Sequence, residues 1–287
     1  MIDFEEKTYE NYFNCELHQR TNMSFSPGQV AEKVLGFDAA FDLPWPYFEL
    51  LFGYPLPGLL GGTPGITLRE VDDFAQHIGK HLPDFRLNFF LQYKRPNFIA
   101  GSRGKYRSHW LRPYFEYKIL AHQQSALAGL HSVAAGRAAV VYASPAFATN
   151  SELFTFAKAK AIIDQSNLVS VERLNNHLRY TYAEKGMLGT AFSEPEDISS
   201  PGIDAIFNER FTQEPMKFYD HIIATAQAIK IAMENEEARD TMNLARGAII
   251  SASSLSPEEL QASRFMDAHI TIRAFCDSLG VVFHPVA

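Results

Sequence analysis

Apolar residues recur along this chain with two spacings, one helical and one continuous. Phe4, Tyr9, Tyr12, Phe13 and Leu17 mark one face of a helix over residues 3–24. Ser26-Pro27 is a helix start followed by Val30, Ala31, Val34 and Leu35, and Gly36 ends it. A short strand then carries Asp38 among apolar neighbours and stops at Pro44-Trp45-Pro46. Residues 52–66 hold too many Gly and Pro for anything but turns, and Thr67 caps a helix reaching His81, with Leu68, Val71, Phe74, Ala75 and Ile78 on its inner face. The next segment, Arg86 to Lys94 (RLNFFLQYK), is a continuous apolar run and predicts a buried strand.

Further along, residues 114–134 read as one long helix closed by Gly136. Ala138–Ala143 is a second continuous apolar run, and its position after a helix predicts parallel pairing in an α/β sheet. A helix from Ser151 to Ile163 and a strand at Leu178–Ala183 follow. The stretch after Ser193 (SEPEDISSPG) is polar and acidic, as linkers are. Beyond it the pattern is helical over 214–234, 236–251 and 256–278, the last starting at Ser256-Pro257-Glu258-Glu259 with an N-cap, a first-position proline and early acids. The expected architecture is an α/β domain over residues 1–195 and a helical segment over 196–287, the latter offering a surface for a partner protein or a homodimer.

Composition narrows the class. The chain has 287 residues, ordinary apolar content and 23 Phe, enough for a sizeable core. No run approaches the ~20 apolar residues of a membrane helix, and the acidic N-terminus lacks a signal-peptide apolar region. Cys15 and Cys276 have no metal-ligand spacing and are expected as reduced thiols, which points to the cytoplasm. The formal net charge is −7, yet from Phe85 to Phe115 there is no Asp or Glu. Arg86, Lys94, Arg95, Arg103, Lys105, Arg107 and Arg112 make that segment electropositive, as phosphate backbones require. Tyr106, Trp110 and Tyr114 are interleaved with these cations; rings and cations together suit bases as well as phosphates, and packing serves equally well as their explanation.

Residues two apart on a strand share a face, so Gln92 and Lys94 emerge side by side. Phosphodiester hydrolysis needs a cation on the phosphate, a positioned water and a stabilised leaving oxygen. Mg²⁺ takes hard oxygen ligands and keeps several waters, so Asp38 and the Gln92 carbonyl suffice as a start, with Mn²⁺ as the substitute ion. Lys94 orients the water or stabilises transition-state charge. A further carboxylate from the N-terminal helices completes such a site.

These residues resemble the restriction-endonuclease-like, or PD-(D/E)xK, superfamily, in the variant with a Gly-x-Asp strand and a Gln-x-Lys strand that Mrr-type restriction enzymes and related phage-defence nucleases use. Gly36-Phe37-Asp38 and Gln92-Tyr93-Lys94 carry the resemblance, over roughly residues 10–145. It implies a mixed sheet core flanked by helices, a Mg²⁺-dependent endonuclease acting on DNA rather than RNA, and a role in bacterial defence. It also implies a helix glutamate, for which Glu16 is preferred over Glu32, and a site-facing pair at His122-Gln123. Arg95, Arg103, Lys105, Arg107 and Arg112 would grip the nucleic acid. The long interval between Asp38 and Gln92 departs from the pattern and requires an insertion within the core.

Each residue also has a plainer reading. Asp38 pairs with an arginine, Lys94 snorkels from a strand end, and His122 is a hydrogen-bonded structural histidine. A buried Gln92 needs a partner, which makes an accidental placement costly. A catalytically silent relative serving as a nucleic-acid-binding or adaptor subunit is the second hypothesis, since Gln92 adds no charge. A nucleotide-binding α/β protein is the third. His77 and His81 lack the intervening glutamate of a zinc protease, and Gly61-Gly62-Thr63-Pro64-Gly65 lacks the lysine of a phosphate-binding loop.

Overall fold

The computed structural model describes residues 2–20, 68–80, 82–134, 136–186, 189–193, 195–210, 213–233, 236–252 and 260–286. The fold is mixed α/β. The chain divides into two compact units that interleave along the sequence: Met1–Asn22 with Phe89–Thr212, and Met23–Asn88 with Gln213–Ala287. No described helix is long and apolar enough to cross a membrane, and both cysteines are free thiols.

The first unit opens with α1 (Glu6–Arg20), which buries Tyr9, Phe13 and Leu17, as its spacing predicts. Strand β1 (Leu87–Tyr93), which belongs to this unit from Phe89 on, is buried at all seven positions, so the apolar run forms a strand covered on both faces. Beside it lies β4 (Ala138–Pro145), again wholly buried, and then β5 (Ser166–Ser170). The β4–β5 pairing is antiparallel, with Val141 opposite Ser170 and Ser144 opposite Asn167. On that side the strand departs from the expected parallel pairing: an unbroken apolar run reports burial on both faces and does not encode strand direction. Between these strands runs α2 (Asn150–Ala159), started by a reciprocal capping box of Thr149 and Glu152.

A second sheet has the order β2-β3-β6-β7-β8, antiparallel throughout. Its strands are β2 (Asn97–Ile99), β3 (Tyr114–Lys118), β6 (Arg179–Tyr182), β7 (Gly189–Phe192) and β8 (Glu196–Ile198). The expected helix over 114–134 is therefore divided. Residues 114–118 pair with β2 and β6, and only α3 (Ala121–Val133) is helical. Aromatic Tyr114, Phe115 and Tyr117 are buried while Glu116 and Lys118 are not, a pattern that pairing with two neighbours converts into a strand. The SEPEDISSPG stretch likewise holds an edge strand, β8, paired with β7. Tyrosines join the two sheets: Tyr117 packs on Tyr142 with ring centroids 6.0 Å apart, and the Tyr182 hydroxyl donates to the Pro145 carbonyl at 2.7 Å. Short helices α4 (Arg107–Trp110) and α5 (Ile203–Arg210) complete the unit.

In the second unit α9 (Arg264–Leu279) has eleven buried residues and packs against α6 (Leu68–Gly79), α7 (Phe218–Ala232) and α8 (Glu236–Ala252). Ser263 caps α9 through the Met266 N–H, and Asp72 of α6 accepts from Ser263, the Phe265 N–H and Tyr219. Those bonds hold the Asp72 carboxyl below its ordinary range against the opposing effect of burial, its largest single influence. Gly280, at φ 63°, ends α9 in the left-handed region where glycine carries no Cβ penalty. The chain then forms β9 (Val281–Val286), a strand within the part expected to be helical throughout. Val286 accepts from the Arg86 N–H at 3.0 Å, a long-range bond that local periodicity does not announce.

Candidate functional site

The end of β1 is where the chemistry collects. Gln92 lies inside the strand at 4% exposure. Lys94 follows the last strand residue, its backbone N–H donating to the Ala143 carbonyl at 2.9 Å. That bond fixes where the side chain starts. The Lys94 ammonium then sits 5.4 Å from the centre of the Tyr142 ring and 3.4 Å from the Gln123 Oε1 on α3. Tyr142 is held in turn by Gln124, whose Oε1 accepts its hydroxyl proton at 2.9 Å and whose amide donates to the Val171 carbonyl at 2.7 Å. Burial lowers the Lys94 pKa, while the charge of Glu6 on α1 opposes the shift. A half-desolvated ammonium over a ring face interacts more strongly with an incoming anion than one in water does.

The other sequence-derived candidates divide into several groups. Asp38 and Glu32 lie outside the described residues. Glu16 is buried at 5% exposure, and its two oxygens are occupied. One accepts the Ile162 N–H at 2.6 Å and the other pairs with Arg20 at 2.7 Å, while Arg20 also reaches Asp164. It therefore ties α1 to the turn before β5. His122 is exposed on the first turn of α3, and its neighbour Gln123 is the residue that meets Lys94. Among the described residues no three His, Cys, Asp or Glu side chains are grouped to hold a metal ion.

The electropositive segment is also sorted by the fold. Arg95 binds Glu5 through its guanidinium at 3.1 Å and the Ile2 carbonyl at 2.8 Å, and its backbone N–H donates to Glu6 at 2.8 Å. Arg112 pairs with Glu184. Arg107 is half-buried and near the Ala100 carbonyl, whereas Arg103 and Lys105 are exposed, the latter over the Tyr106 ring. Tyr106 and Tyr114 are packing residues: both are buried, and Tyr106 stacks on Phe192 at 3.9 Å. Trp110 remains half-exposed.

One residue with a claim on the site escapes pattern reading. Glu6 is the α1 carboxylate whose charge reaches Lys94, whereas Gln123, the second member of the pair expected to face the site, is the side chain that meets its ammonium. Glu6 resembles an ordinary first-turn acid, favourable at any helix start. Its adjacency to the end of β1 is a tertiary fact. A comparison with protein-family models, curated proteins and solved structures finds no match to this chain.

Proposed function

We propose that the chain is a metal-dependent nuclease that hydrolyses phosphodiester bonds, in DNA above RNA, with Lys94 as its phosphate-facing cation and a place in bacterial defence. The observation that carries this reading is the setting of Lys94: a half-buried ammonium at the end of a wholly buried strand, with its pKa lowered by burial and with Gln123, Tyr142 and the charge of Glu6 around it. A surface lysine with no task is not ordinarily withdrawn from water in this way.

Asp38 and Gln92 supply the hard oxygens for Mg²⁺ or Mn²⁺ in this reading. Glu16 does not fit the ligand set, because both its oxygens are engaged within the protein. Glu6, half-exposed and beside the Lys94–Arg95 step, is the α1 carboxylate that fits better. When bound, the metal ion supplies charge neutralisation at the phosphate. Lys94 donates hydrogen bonds to a non-bridging phosphate oxygen, Gln123 orients the ammonium, and the Tyr142 ring excludes water from one side. The test is incubation of plasmid DNA and mixed RNA with Mg²⁺, Mn²⁺ or EDTA, beside the Lys94→Ala chain. Metal-dependent cleavage lost in the variant supports the reading, and cleavage retained by the variant refutes it.

The engagement of Glu16 favours a second reading, a silent nucleic-acid-binding or adaptor subunit with the same fold. Binding of DNA without cleavage, and no thermal shift with Mn²⁺, is its expected signature.

A further inference from the structure

The four-residue helix α4 presents two side-chain rings at the surface of the five-stranded sheet, and both are tied down at their edges. The Trp110 indole N–H donates to the Thr181 hydroxyl at 3.0 Å. The His109 Nε2 lies 2.9 Å from the Thr190 hydroxyl. Thr181 and Thr190 are directly opposite each other on β6 and β7, and both are buried. Their protons are accounted for: Thr181 donates to the Thr190 carbonyl at 3.2 Å and Thr190 donates to Asp197 at 3.1 Å. Each hydroxyl has one proton, so Thr190 can only accept from His109, which must carry its proton on Nε2. The imidazole is thus held to the sheet by its Nε2 edge. His109 and Trp110 stand edge to face, ring centroids 5.0 Å apart.

The next residue, Leu111, is 82% exposed and has φ 58°. A leucine in the left-handed region carries a steric cost, and an exposed apolar side chain there recovers nothing by burial. Arg103 and Lys105 are exposed just before α4, and Arg107, its first residue, is half-buried. The segment therefore combines two orientationally fixed rings, one unburied apolar tip and three cations close by in sequence.

We propose that α4 and Leu111 form a stacking platform for the unpaired bases of a single-stranded polynucleotide, with Arg103, Lys105 and Arg107 on its phosphates. Paired bases have their faces covered, so a duplex can offer this platform only its backbone, whereas every unpaired base offers a π-face. The inference rests on the nucleic-acid reading above and narrows its substrate to single strands or to the frayed parts of duplexes.

The experiment uses the full chain carrying Lys94→Ala, in EDTA, with a fluorescein-labelled twelve-nucleotide oligo-dT and a labelled duplex of the same length. Fluorescence anisotropy is read at about 0.1 M salt. The single strand is expected to bind about tenfold tighter than the duplex. Adding His109→Ala with Leu111→Gly should weaken single-strand binding about tenfold or more and leave duplex binding unchanged. Glycine adopts the φ of residue 111 freely, and Thr190 keeps its bond to Asp197, so a thermal melt no lower than the parent's should accompany the loss. Equal affinity for duplex and single strand, undiminished single-strand binding by the doubly substituted chain, or no binding of either probe overturns the platform. The nuclease reading is judged separately, by metal-dependent cleavage with the unsubstituted chain, so the two can fail independently.

Discussion

Replacing Glu16 with alanine separates a scaffold carboxylate from a catalytic one. Glu16 accepts the buried Ile162 N–H at 2.6 Å and pairs with Arg20 at 2.7 Å, while Arg20 keeps a second partner in Asp164 at 2.8 Å. Losing a charge-assisted bond to a buried N–H costs about 1.5–3 kcal/mol. The Arg20 pair adds at most about 1 kcal/mol, because the guanidinium is part-exposed and retains Asp164. The sum, about 2–4 kcal/mol, corresponds to a fall in Tm of roughly 5–15 °C for a chain of this size. Glu6→Ala, by contrast, removes one bond from a half-exposed carboxylate to the Arg95 N–H and should cost about 1 kcal/mol or less. Differential scanning fluorimetry and urea melts of the two variants, beside the plasmid-cleavage assay, make the comparison. Glu16→Ala should lose stability in proportion to its activity, and Glu6→Ala should lose activity at nearly parental stability. A Glu16→Ala chain as stable as the parent but without cleavage would refute the scaffold role.

Other consequences are equally concrete. Burial lowers the pKa of His269 to about 4, with the charge of Arg273 adding to the shift, against 6.5 for an ordinary imidazole. The unfolded chain therefore takes up a proton that the folded chain refuses between those values. Stability should fall as pH drops from about 6.5 towards 4, by up to about 3 kcal/mol, and Tm measured against pH should flatten in His269→Phe. Gly189→Ala would set a Cβ 1.9 Å from the Tyr180 hydroxyl, inside the sheet, and overpacking of this kind costs about 1–3 kcal/mol, read as a lower urea midpoint. Thr149→Ala removes one half of the capping box of α2 and should cost about 1 kcal/mol in the same melt, with Thr149→Ser restoring most of it.

Burial was legible in the chain, and pairing was not. The runs at Leu87–Tyr93 and Ala138–Pro145 are strands buried at every position because nothing polar interrupts them except Gln92 and Asn88 in the first and Ser144 in the second. The helix expected from Ser151 begins one residue earlier, at Asn150, behind the capping box of Thr149 and Glu152. The Tyr114–Lys118 segment precedes a true helix without a break signal, and only its partners β2 and β6 make it a strand. Strand β9 follows α9 after a single glycine and reveals itself through a bond to Arg86, far away in sequence. Lys94 stands out by its place at the end of a buried strand. Glu6 has no local mark, since its bond to the Arg95 N–H depends on where α1 lies against β1. Asp38 lies outside the described residues, so its part in the proposed site rests on the sequence.

The nuclease proposal is tested most directly by one comparison: supercoiled plasmid incubated with Mn²⁺ or with EDTA, by the parent chain and by Lys94→Ala, with circular dichroism to establish that both are folded. Nicked or linear DNA is expected only with the parent and only with the metal ion. Cleavage by folded Lys94→Ala at the parental rate, or none by the parent under either condition, would contradict it.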